Sequence, residues 1–314
     1  MAVDLLDAPL RVSWDLCGGD GKVLSAAQLS RVAQQLLDAG IFFVSLEEQP
    51  LLHPEIIPLL QSLVKGCQVS VVVGNSETEL NLLGQLPQTI KLYLDCSQAV
   101  QGHTFNGDCI RPALSRIRNS GYEPLLSWMP RRSELPALLA ALRFCAAESI
   151  RGFKLPNQKI GVSCGPEQAE KMPDCEDLKQ LAAAIRKSGL PKLSELQLDV
   201  HDLFVWELLQ PLSGGQRSEY GGCQAANSLG HITADGQLWP CSSWPEPLGS
   251  LLENDLIDLW QSDLRFEIRR QIAEIPVGCT DCRDYESCFG GCRGLSSFCR
   301  DDSLKRDLLC EGIR

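Results

Sequence analysis

The first two thirds of the chain alternate short apolar runs, rich in β-branched residues, with longer segments in which apolar residues recur at helical spacing. The short runs predict strands over 11–16, 41–47, 68–74, 89–95, 123–129 and 152–156. The longer segments predict helices over 25–40, 53–66, 76–86, 109–120, 135–149 and 176–188. Strands that alternate with helices through short connections favour a parallel sheet with right-handed crossovers. About six such units predict an α/β fold, a partial (β/α)6 barrel.

Local signals at the helix ends support these boundaries. Ser25 is a candidate N-cap of the first helix, and Gly40 is a candidate stop after it. Ser76 and Glu79 have the spacing of a capping box at the start of the third helix. In folds of this kind, ligands bind at the carboxyl ends of the strands. Those ends are expected at Asp15–Cys17, Leu46–Gln49, Gly74–Asn75, Asp95–Cys96, Met129–Pro130 and Pro156–Asn157.

The last third of the chain has a different pattern. Residues 196–213 are expected to leave the barrel as a connecting helix, and the Gly/Ser-rich stretch 213–222 is typical of a boundary. A hairpin with its turn at Asp235–Gly236 is predicted over 228–241, and a helix over 255–275. The chain therefore divides into a barrel over 1–195, a connecting helix and linker over 196–222, and a small cysteine-rich α+β domain over 223–314.

Charge and hydropathy narrow the classes of function. The chain has 314 residues and a formal net charge of −11. Because it is acidic and has no basic stripe, no nucleic-acid partner is expected. No apolar run reaches the roughly 18–20 residues that span a bilayer. The acidic start of the chain lacks the basic segment of a secretory signal. These patterns predict a cytoplasmic protein without a membrane partner.

Fifteen cysteines are unusual in such a chain, and their spacing indicates their role. Seven are scattered over the first 222 residues, and eight fall between 223 and 310. In the second group Cys223 is followed by twelve residues, Gly236, four residues and Cys241. A C-x2-C-x5-C-x3-C run begins at Cys279 and ends at Cys292, and Cys310 follows after seventeen residues. In a reducing compartment such thiols favour iron–sulfur clusters or zinc over disulfides.

This array resembles the SPASM domain, the auxiliary-cluster domain of many radical SAM enzymes that modify peptides and proteins. That domain has the pattern C-x(9–15)-G-x4-C, a gap, C-x2-C-x5-C-x3-C, a gap and C, and every element is present here. The resemblance implies two [4Fe–4S] clusters. It implies that the first cluster is held by Cys223, Cys241 and Cys292, and the second by Cys279, Cys282, Cys288 and Cys310.

The sequence leaves the fourth ligand of the first cluster open. Many family members supply it a few residues after the position of Cys223, where this chain has no cysteine. An open iron, a water or substrate ligand, or Cys299 could complete the site. Zinc in a ribbon-like fold and reduced, metal-free cysteines remain alternatives to clusters. Among the earlier cysteines, Cys67, Cys109 and Cys145 are expected in the core, whereas the strand-end positions of Cys17 and Cys96 leave a site role open.

The barrel resembles a radical SAM domain that has lost its cofactor loops. In active members the first strand runs into a C-x3-C-x2-C loop that holds the cluster that binds S-adenosylmethionine. Here Cys17 is the sole cysteine before Cys67, so a three-thiolate site cannot form. The second strand of the family ends in a G-G-E-P loop, and the aligned residues here are Glu47, Glu48, Gln49 and Pro50. No S-adenosylmethionine is therefore expected to bind, and no cleavage of it is expected.

The combination resembles SPASM-domain accessory proteins of the GeoRSP type, which accompany a true radical SAM enzyme. The resemblance implies a partner enzyme and a peptide or protein substrate, with this chain relaying electrons, presenting the substrate, or both. Two other functions stay open: an enzyme that uses an open iron on the first cluster, and a structural metal-binding subunit. Glu47 and Glu48 could form an acid–base pair, although neighbours on a strand point to opposite faces.

Overall fold

The computed structural model describes residues 5–18, 23–161, 170–191, 196–213, 219–299 and 304–312. The described strands are β1 Arg11–Asp15, β2 Phe43–Glu47, β3 Gln68–Val73, β4 Lys91–Asp95, β5 Val100–Gln101, β6 Thr104–Phe105, β7 Leu125–Ser127, β8 Gly152–Leu155, β9 Gln197–Val200, β10 Leu229–Ile232, β11 Gln237–Trp239 and β12 Gly249–Ser250. The described α-helices are α1 Ala26–Asp38, α2 Ile56–Leu63, α3 Glu77–Leu82, α4 Arg111–Asn119, α5 Leu138–Ala147, α6 Cys175–Ser188, α7 Leu203–Ser213, α8 Leu256–Trp260, α9 Asp263–Ala273, α10 Tyr285–Cys288 and α11 Arg293–Phe298. None of these helices is long and apolar enough to cross a membrane.

The chain folds into two compact units. Unit 1 comprises Met1–Leu94, Arg116–Tyr122 and Gln224–Ala273. Unit 2 comprises Asp95–Ser115, Glu123–Cys223 and Glu274–Arg314. Each unit contains parallel strands and helices, as the alternating pattern predicts.

The sheet of unit 1 has the order β12–β11–β10–β1–β2–β3–β4. The strands from β10 to β4 are parallel, and β11 and β12 extend the sheet in the antiparallel sense. One face of β1 and β2 is apolar, because Val12, Trp14, Val44 and Leu46 are all buried there. Side chains alternate along a strand, so the intervening residues of β1 and β2 share the other face, which carries serines and carboxylates. That polar face positions one of the sites considered below.

The observed helix caps of unit 1 match most of the caps predicted from the sequence. Ser25 caps α1 in a full capping box with Gln28, and Gly40 has a positive φ of +67° directly after that helix. The side chain of Ser76 accepts from Glu79 N, as expected. The carboxylate of Glu79 instead accepts from Gly74 N at 2.9 Å and from the Ser76 hydroxyl at 2.7 Å. Glu79 therefore fastens the end of β3 to the start of α3.

The predicted hairpin is confirmed, and it belongs to the sheet of unit 1. Strands β10 and β11 are antiparallel, and Gly236 in the turn has a φ of +84°. Strand β10 also pairs in parallel with β1, with His231 opposite Ser13. The sequence gives no sign of this second pairing, because its partners are more than two hundred residues apart. The hairpin thus becomes part of the larger sheet.

Unit 2 contains the parallel strands β7–β8–β9 and a short hairpin of β5 and β6. Trp128 and Phe153 are among its most deeply buried side chains. Strand β9 lies where the sequence predicts only a connecting helix, and the helix there is confined to Leu203–Ser213. The strand is short, and none of its four residues is fully buried. Its hydrophobic signal is therefore too weak to separate it from the helix that follows.

The loop after β2 holds two residues in the left-handed backbone region. Glu48 has a φ of +54° and Gln49 a φ of +52°. Only glycine adopts this region without a steric penalty. These are two of the positions that, by the sequence resemblance, correspond to the G-G-E-P loop of radical SAM domains.

Gln49→Gly is expected to stabilise the protein, because glycine relieves the left-handed strain of an exposed residue. The expected gain in unfolding free energy is about 0.5–1 kcal/mol, or about 1–3 °C in the thermal midpoint. Differential scanning calorimetry measures the midpoint. Gln49→Ala is the matched control, because it shortens the side chain and retains Cβ. A Gln49→Gly protein no more stable than Gln49→Ala would contradict the strain argument.

Candidate metal centre

Unit 2 brings together the four cysteines predicted to hold the second cluster. Cys279 ends a 3₁₀ turn that begins at Val277. The N–H of Cys282 donates to the carbonyl of Cys279 at 3.1 Å, so the C-x2-C segment closes as a single turn. Cys288 is the last residue of α10. Cys310 follows a turn in which its N–H donates to the carbonyl of Asp307 at 3.1 Å.

The electrostatics of Cys279 show that the four thiols interact. Burial, followed by the thiols of Cys288, Cys310 and Cys282, raises the pKa of Cys279 to about 11. The guanidinium of Arg293 acts in the opposite direction and lowers this pKa. The side chain of Arg293 is buried, and its Nη1 donates to the carbonyl of Glu274 at 2.7 Å. A buried cation thus lies within electrostatic range of the Cys279 thiol.

These residues fit an iron–sulfur cluster by their chemistry. Thiolates are the usual ligands of [4Fe–4S] clusters, and four cysteines can supply one thiolate to each of the four irons. Thiolates gathered in a buried site repel one another, and binding of iron removes that repulsion while it displaces the thiol protons. The N–H of Gly312 also donates to Cys310 Sγ at 3.4 Å. Hydrogen bonds of this kind to ligand sulfurs tune the reduction potential of a cluster.

The described ranges contain no group of three or more His, Cys, Asp or Glu side chains that could hold a single metal ion. Zinc, for comparison, requires ligands at about 2.0–2.3 Å from one centre. A [4Fe–4S] cluster is larger than a single ion, so its cysteine ligands bind different irons and lie further apart. The four interacting thiols of unit 2 fit the donor set of a cluster.

A glycine pair shapes the chain between the two predicted ligand sets. Phe289 and the glycines 290 and 291 all have positive φ, at +51°, +82° and +68°. They reverse the chain between Cys288 and Cys292, which the sequence resemblance assigns to different clusters. A Cβ on Gly291 would also lie 2.4 Å from Asp307 Oδ2. Glycine at 291 is therefore needed both for the backbone and for the approach of Asp307.

Asp307 ties the two ligand sets together, and sequence spacing alone does not reveal it. The residue is only 2% exposed. Its Oδ2 accepts from the N–H of Cys292 at 2.6 Å, and its Oδ1 accepts from the N–H of Leu309 at 2.8 Å. Its carbonyl accepts from Cys310, a residue of the other set. One buried side chain thus positions the backbone at Cys292, while its main chain positions Cys310.

Two of the three cysteines predicted for the first cluster are in unit 2. Burial first, and then the thiols of Cys223 and Cys292, raises the pKa of Tyr220 well above its usual value. Both thiols therefore lie within electrostatic range of the same phenol. Asn157, at the end of β8, donates from Nδ2 to Cys292 Sγ at 3.6 Å. The carboxyl end of a strand thus reaches a predicted cluster ligand, as the fold class leads one to expect.

Cys241, the third predicted ligand, is in unit 1. It is buried just after β11, and the N–H of Trp244 donates to its carbonyl at 3.1 Å. A short bridge pairs the two residues. Its assignment to the first cluster rests on the sequence resemblance.

Cys299, the candidate fourth ligand, shares an environment with Cys292. Both are buried in one apolar cluster of unit 2 together with Ile160, Met172 and Leu295. Cys292 is the N-cap of α11 and Cys299 is its C-cap. Six helical residues lie between them, and the seven steps from residue 292 to residue 299 place the two Cα atoms about 10 Å apart along the axis. Cys299 therefore lies in the neighbourhood of the site, and its role as a ligand stays a prediction.

Asn157→Leu is expected to lower the reduction potential of the cluster that Cys292 binds, because it deletes a hydrogen bond to a ligand sulfur. A net hydrogen bond of about 0.5–1.5 kcal/mol corresponds to roughly 20–60 mV for a one-electron couple. Leucine keeps nearly the same shape. A redox titration followed by electron paramagnetic resonance measures the potential. Gln158→Leu, one residue away, is the control, and equal potentials in the wild type and Asn157→Leu would contradict this role.

The remaining early cysteines separate into core and surface positions. Cys67 and Cys145 are buried, as predicted, and burial raises the pKa of Cys145 to about 12. Cys96 is also buried, and its thiol donates to Ser127 O at 3.4 Å, which indicates a core role. The prediction for Cys109 is wrong, because this cysteine is exposed at the start of α4, where its thiol donates to Asn106 O at 3.1 Å.

Cys17 lies beside the degenerate loop of unit 1. Its thiol donates to Gln49 O at 3.6 Å. Burial and, to a lesser extent, the charge of Glu48 raise the pKa of Cys17. Thiolate is the form that binds metals. The setting of Cys17 therefore disfavours the ionised form that a cluster ligand needs.

The polar face of β1 and β2 brings together Asp15, Glu47 and His231, and the sequence does not predict that these three side chains are neighbours. Ser13 Oγ is 2.9 Å from His231 Nδ1, and His231 Nε2 is 3.5 Å from Asp15 Oδ2. Asp15 is the register partner of Glu47, whose Oε1 accepts from Ser45 at 2.9 Å. Two carboxylates thus lie side by side at the carboxyl ends of β1 and β2. The pairing of β1 with β10 brings His231 to this group.

Comparison with known proteins agrees with this architecture. Residues 223–283 match the family model of SPASM, an iron–sulfur cluster-binding domain. The fold is similar to that of native anSMEcpe with bound AdoMet, with a TM-score of 0.64 and 14% identity, over 96% of this chain and 94% of that chain. A structure of native anSMEcpe with bound AdoMet and Cp18Cys peptide gives a TM-score of 0.65 and 13% identity, with the same coverage.

The class of protein follows from these observations together. The chain combines an iron–sulfur cluster-binding domain with an α/β fold similar to that of native anSMEcpe. Residues 223–283 therefore form a SPASM iron–sulfur cluster-binding domain.

Proposed function

We propose that this chain is an accessory iron–sulfur protein that carries two [4Fe–4S] clusters and works with a catalytic radical SAM enzyme. The observation that carries the proposal is the group of four interacting thiols in unit 2, Cys279, Cys282, Cys288 and Cys310, beside the buried cation of Arg293. A bound [4Fe–4S] cluster supplies one-electron transfer. The four thiolates would hold the second cluster, and Arg293 would offset its negative charge.

The first cluster is proposed to be held by Cys223, Cys241 and Cys292, as the resemblance implies, with Cys299 as candidate fourth ligand. Cys223 and Cys292 both lie within electrostatic range of Tyr220, which supports the proximity of two of these three cysteines. Asn157 would orient Cys292 and donate to its sulfur. Asp307 would hold the backbone of Cys292 in place.

Several features support a chain that does not cleave S-adenosylmethionine itself. A single cysteine, Cys17, occupies the region of the family's three-cysteine loop, and Glu48 disfavours its ionisation. Set against the family's G-G-E-P loop, this segment has Glu47 and Glu48 in place of the two glycines and Gln49 in place of the glutamate, a net gain of one carboxylate. Asp15 lies next to Glu47 in the sheet. Negative charge at this point opposes the binding of a substrate carboxylate.

The proposed partner is an intact radical SAM enzyme, and the proposed substrate is a peptide or protein. Such an enzyme requires electrons delivered to buried clusters, and the clusters of unit 2 could relay them or help present the substrate. The GeoRSP-type accessory proteins, which this chain resembles, provide the model for this pairing.

A pair of assays tests the proposal. Anaerobic chain with dithionite and S-adenosylmethionine is expected to yield no 5′-deoxyadenosine, and robust formation would overturn the accessory role. In the second assay, the radical SAM enzyme encoded nearest to this chain is supplied with its peptide. The wild-type chain is expected to bind that enzyme and to accelerate peptide modification. Absence of both binding and acceleration would contradict the proposed partner, even if the clusters are present.

A further inference from the structure

Arg265, in helix α9, is a charged side chain buried within unit 1. It is only 2% exposed, and its guanidinium donates to carbonyl groups of three separate segments of that unit. Nε donates to Ala226 O at 2.9 Å, Nη1 to Trp260 O at 2.9 Å and Nη2 to Leu6 O at 2.8 Å. Because a guanidinium is planar and presents its donors in a fixed geometry, these three bonds hold the segments at set distances from one another.

One of these segments is a tight turn that follows Cys223 in the chain. The N–H of Asn227 donates to Gln224 O at 3.1 Å and closes the turn. Ala226 has a left-handed φ of +54°, and its side chain is fully buried. A residue other than glycine keeps this conformation only where its surroundings impose it. Contacts from outside the turn are therefore needed to hold it.

Helix α9 and the segment before Cys241 supply those contacts. Arg269, one helical turn after Arg265, donates from Nη1 to Ala225 O at 2.8 Å. Two arginines of one helix thus hold neighbouring carbonyls of the turn. The N–H of Ala226 donates in turn to the carbonyl of residue 240 at 2.9 Å, and that residue directly precedes Cys241. The turn after one predicted cluster ligand is thereby bonded to the backbone beside another.

We infer that Arg265 is a positioning residue for the first cluster. It holds the turn after Cys223 in the conformation that bonds to the residue before Cys241, so it fixes the backbone beside two of the three predicted ligands. Ligands held on a fixed backbone bind a metal centre at a lower entropic cost than ligands on a loose one. The inference rests on the first cluster of the proposed function and adds to it a residue that the cysteine spacing does not reveal.

Iron content tests this role. Arg265→Met is expected to halve the iron of the anaerobically purified chain, from about eight to about four atoms, because methionine keeps an apolar stem and donates no hydrogen bond. The same substitution in a chain that also carries Cys282→Ala and Cys288→Ala is expected to leave almost no iron, which locates the loss at the first cluster. Colorimetric iron analysis measures both losses. Iron that Arg265→Met does not lower in either background would overturn the inference.

Two substitutions in the same helix separate positioning from stability alone. Ile268→Ala opens a cavity, because Ile268 is completely buried, and leaves both arginines in place. It is expected to lower the thermal midpoint and to keep about eight iron. Arg270→Met replaces an exposed arginine that pairs with Glu267 and is expected to change neither quantity. If Ile268→Ala loses as much iron as Arg265→Met, the role of Arg265 is structural only and the inference fails.

Arg269→Met keeps the test decisive if Arg265→Met does not fold, as judged by circular dichroism. It removes one of the two arginine bonds to the turn, so its iron is expected to fall below that of the wild type, and full iron in the folded variant would overturn the inference. A wild-type chain with only about four iron would overturn the proposed first cluster and this inference with it. About eight iron in the wild type and in the folded arginine variants would overturn the inference alone.

Discussion

Replacing Cys282 and Cys288 together with alanine is expected to halve the iron content of the anaerobically purified chain, from about eight to about four atoms. The variant removes two of the four thiols that interact around Cys279. A cluster left with two thiolate ligands has no stable donor set. The first ligand set contains neither residue, so its iron is expected to remain. Colorimetric iron and acid-labile sulfide analysis measures both losses.

The matched control is a double substitution of two cysteines outside both sets. Cys67 and Cys145 are buried thiols, each in the core of its own unit. Cys67→Ala with Cys145→Ala is expected to lower stability through small cavities and to leave iron unchanged. Full iron in the Cys282/Cys288 variant, or equal losses in both variants, would contradict the assignment of the second set.

Asp307→Leu is expected to lower both the stability and the iron content of the chain. The carboxylate accepts from the buried N–H groups of Cys292 and Leu309. Each buried donor left without an acceptor costs about 1–3 kcal/mol, so the total expected loss is about 2–6 kcal/mol. The backbone at Cys292 would lose its anchor, and iron content is expected to fall with stability. Chemical denaturation and iron analysis measure the two effects.

A graded comparison tests this positioning role. Asp307→Asn keeps one acceptor oxygen and nearly the same shape, so it can satisfy one of the two N–H groups. It is therefore expected to lie between the wild type and Asp307→Leu in both stability and iron content. An Asp307→Leu protein with wild-type iron would show that the side chain does not position Cys292.

The parts of the site that the sequence predicts are those that depend on local spacing. The C-x2-C segment of Cys279 and Cys282 forms one turn, so the separation of two residues indicates their proximity directly. The strands are predictable from the sequence for a similar reason, because buried residues alternate with others along β1 and β3. The caps at Ser25 and Ser76 depend on contacts three residues apart.

The parts that escape prediction depend on contacts between distant segments. Asp307 reaches Cys292 over fifteen residues, and Asn157 reaches it over 135. His231 meets Ser13 over 218 residues, because β10 pairs with β1. No local sequence pattern predicts contacts between residues so far apart along the chain. The sequence also does not predict the backbone strain at Gln49, because glutamine rarely adopts a left-handed φ.

The metal content of the chain is the most direct test of the central claim that this is a two-cluster iron–sulfur protein. Protein purified without oxygen, with no added metal, is analysed for iron, zinc and acid-labile sulfide per chain. The account predicts about eight iron and about eight sulfide, negligible zinc, and the absorption of [4Fe–4S] clusters. Zinc in place of iron, with no labile sulfide and no brown colour, would contradict it.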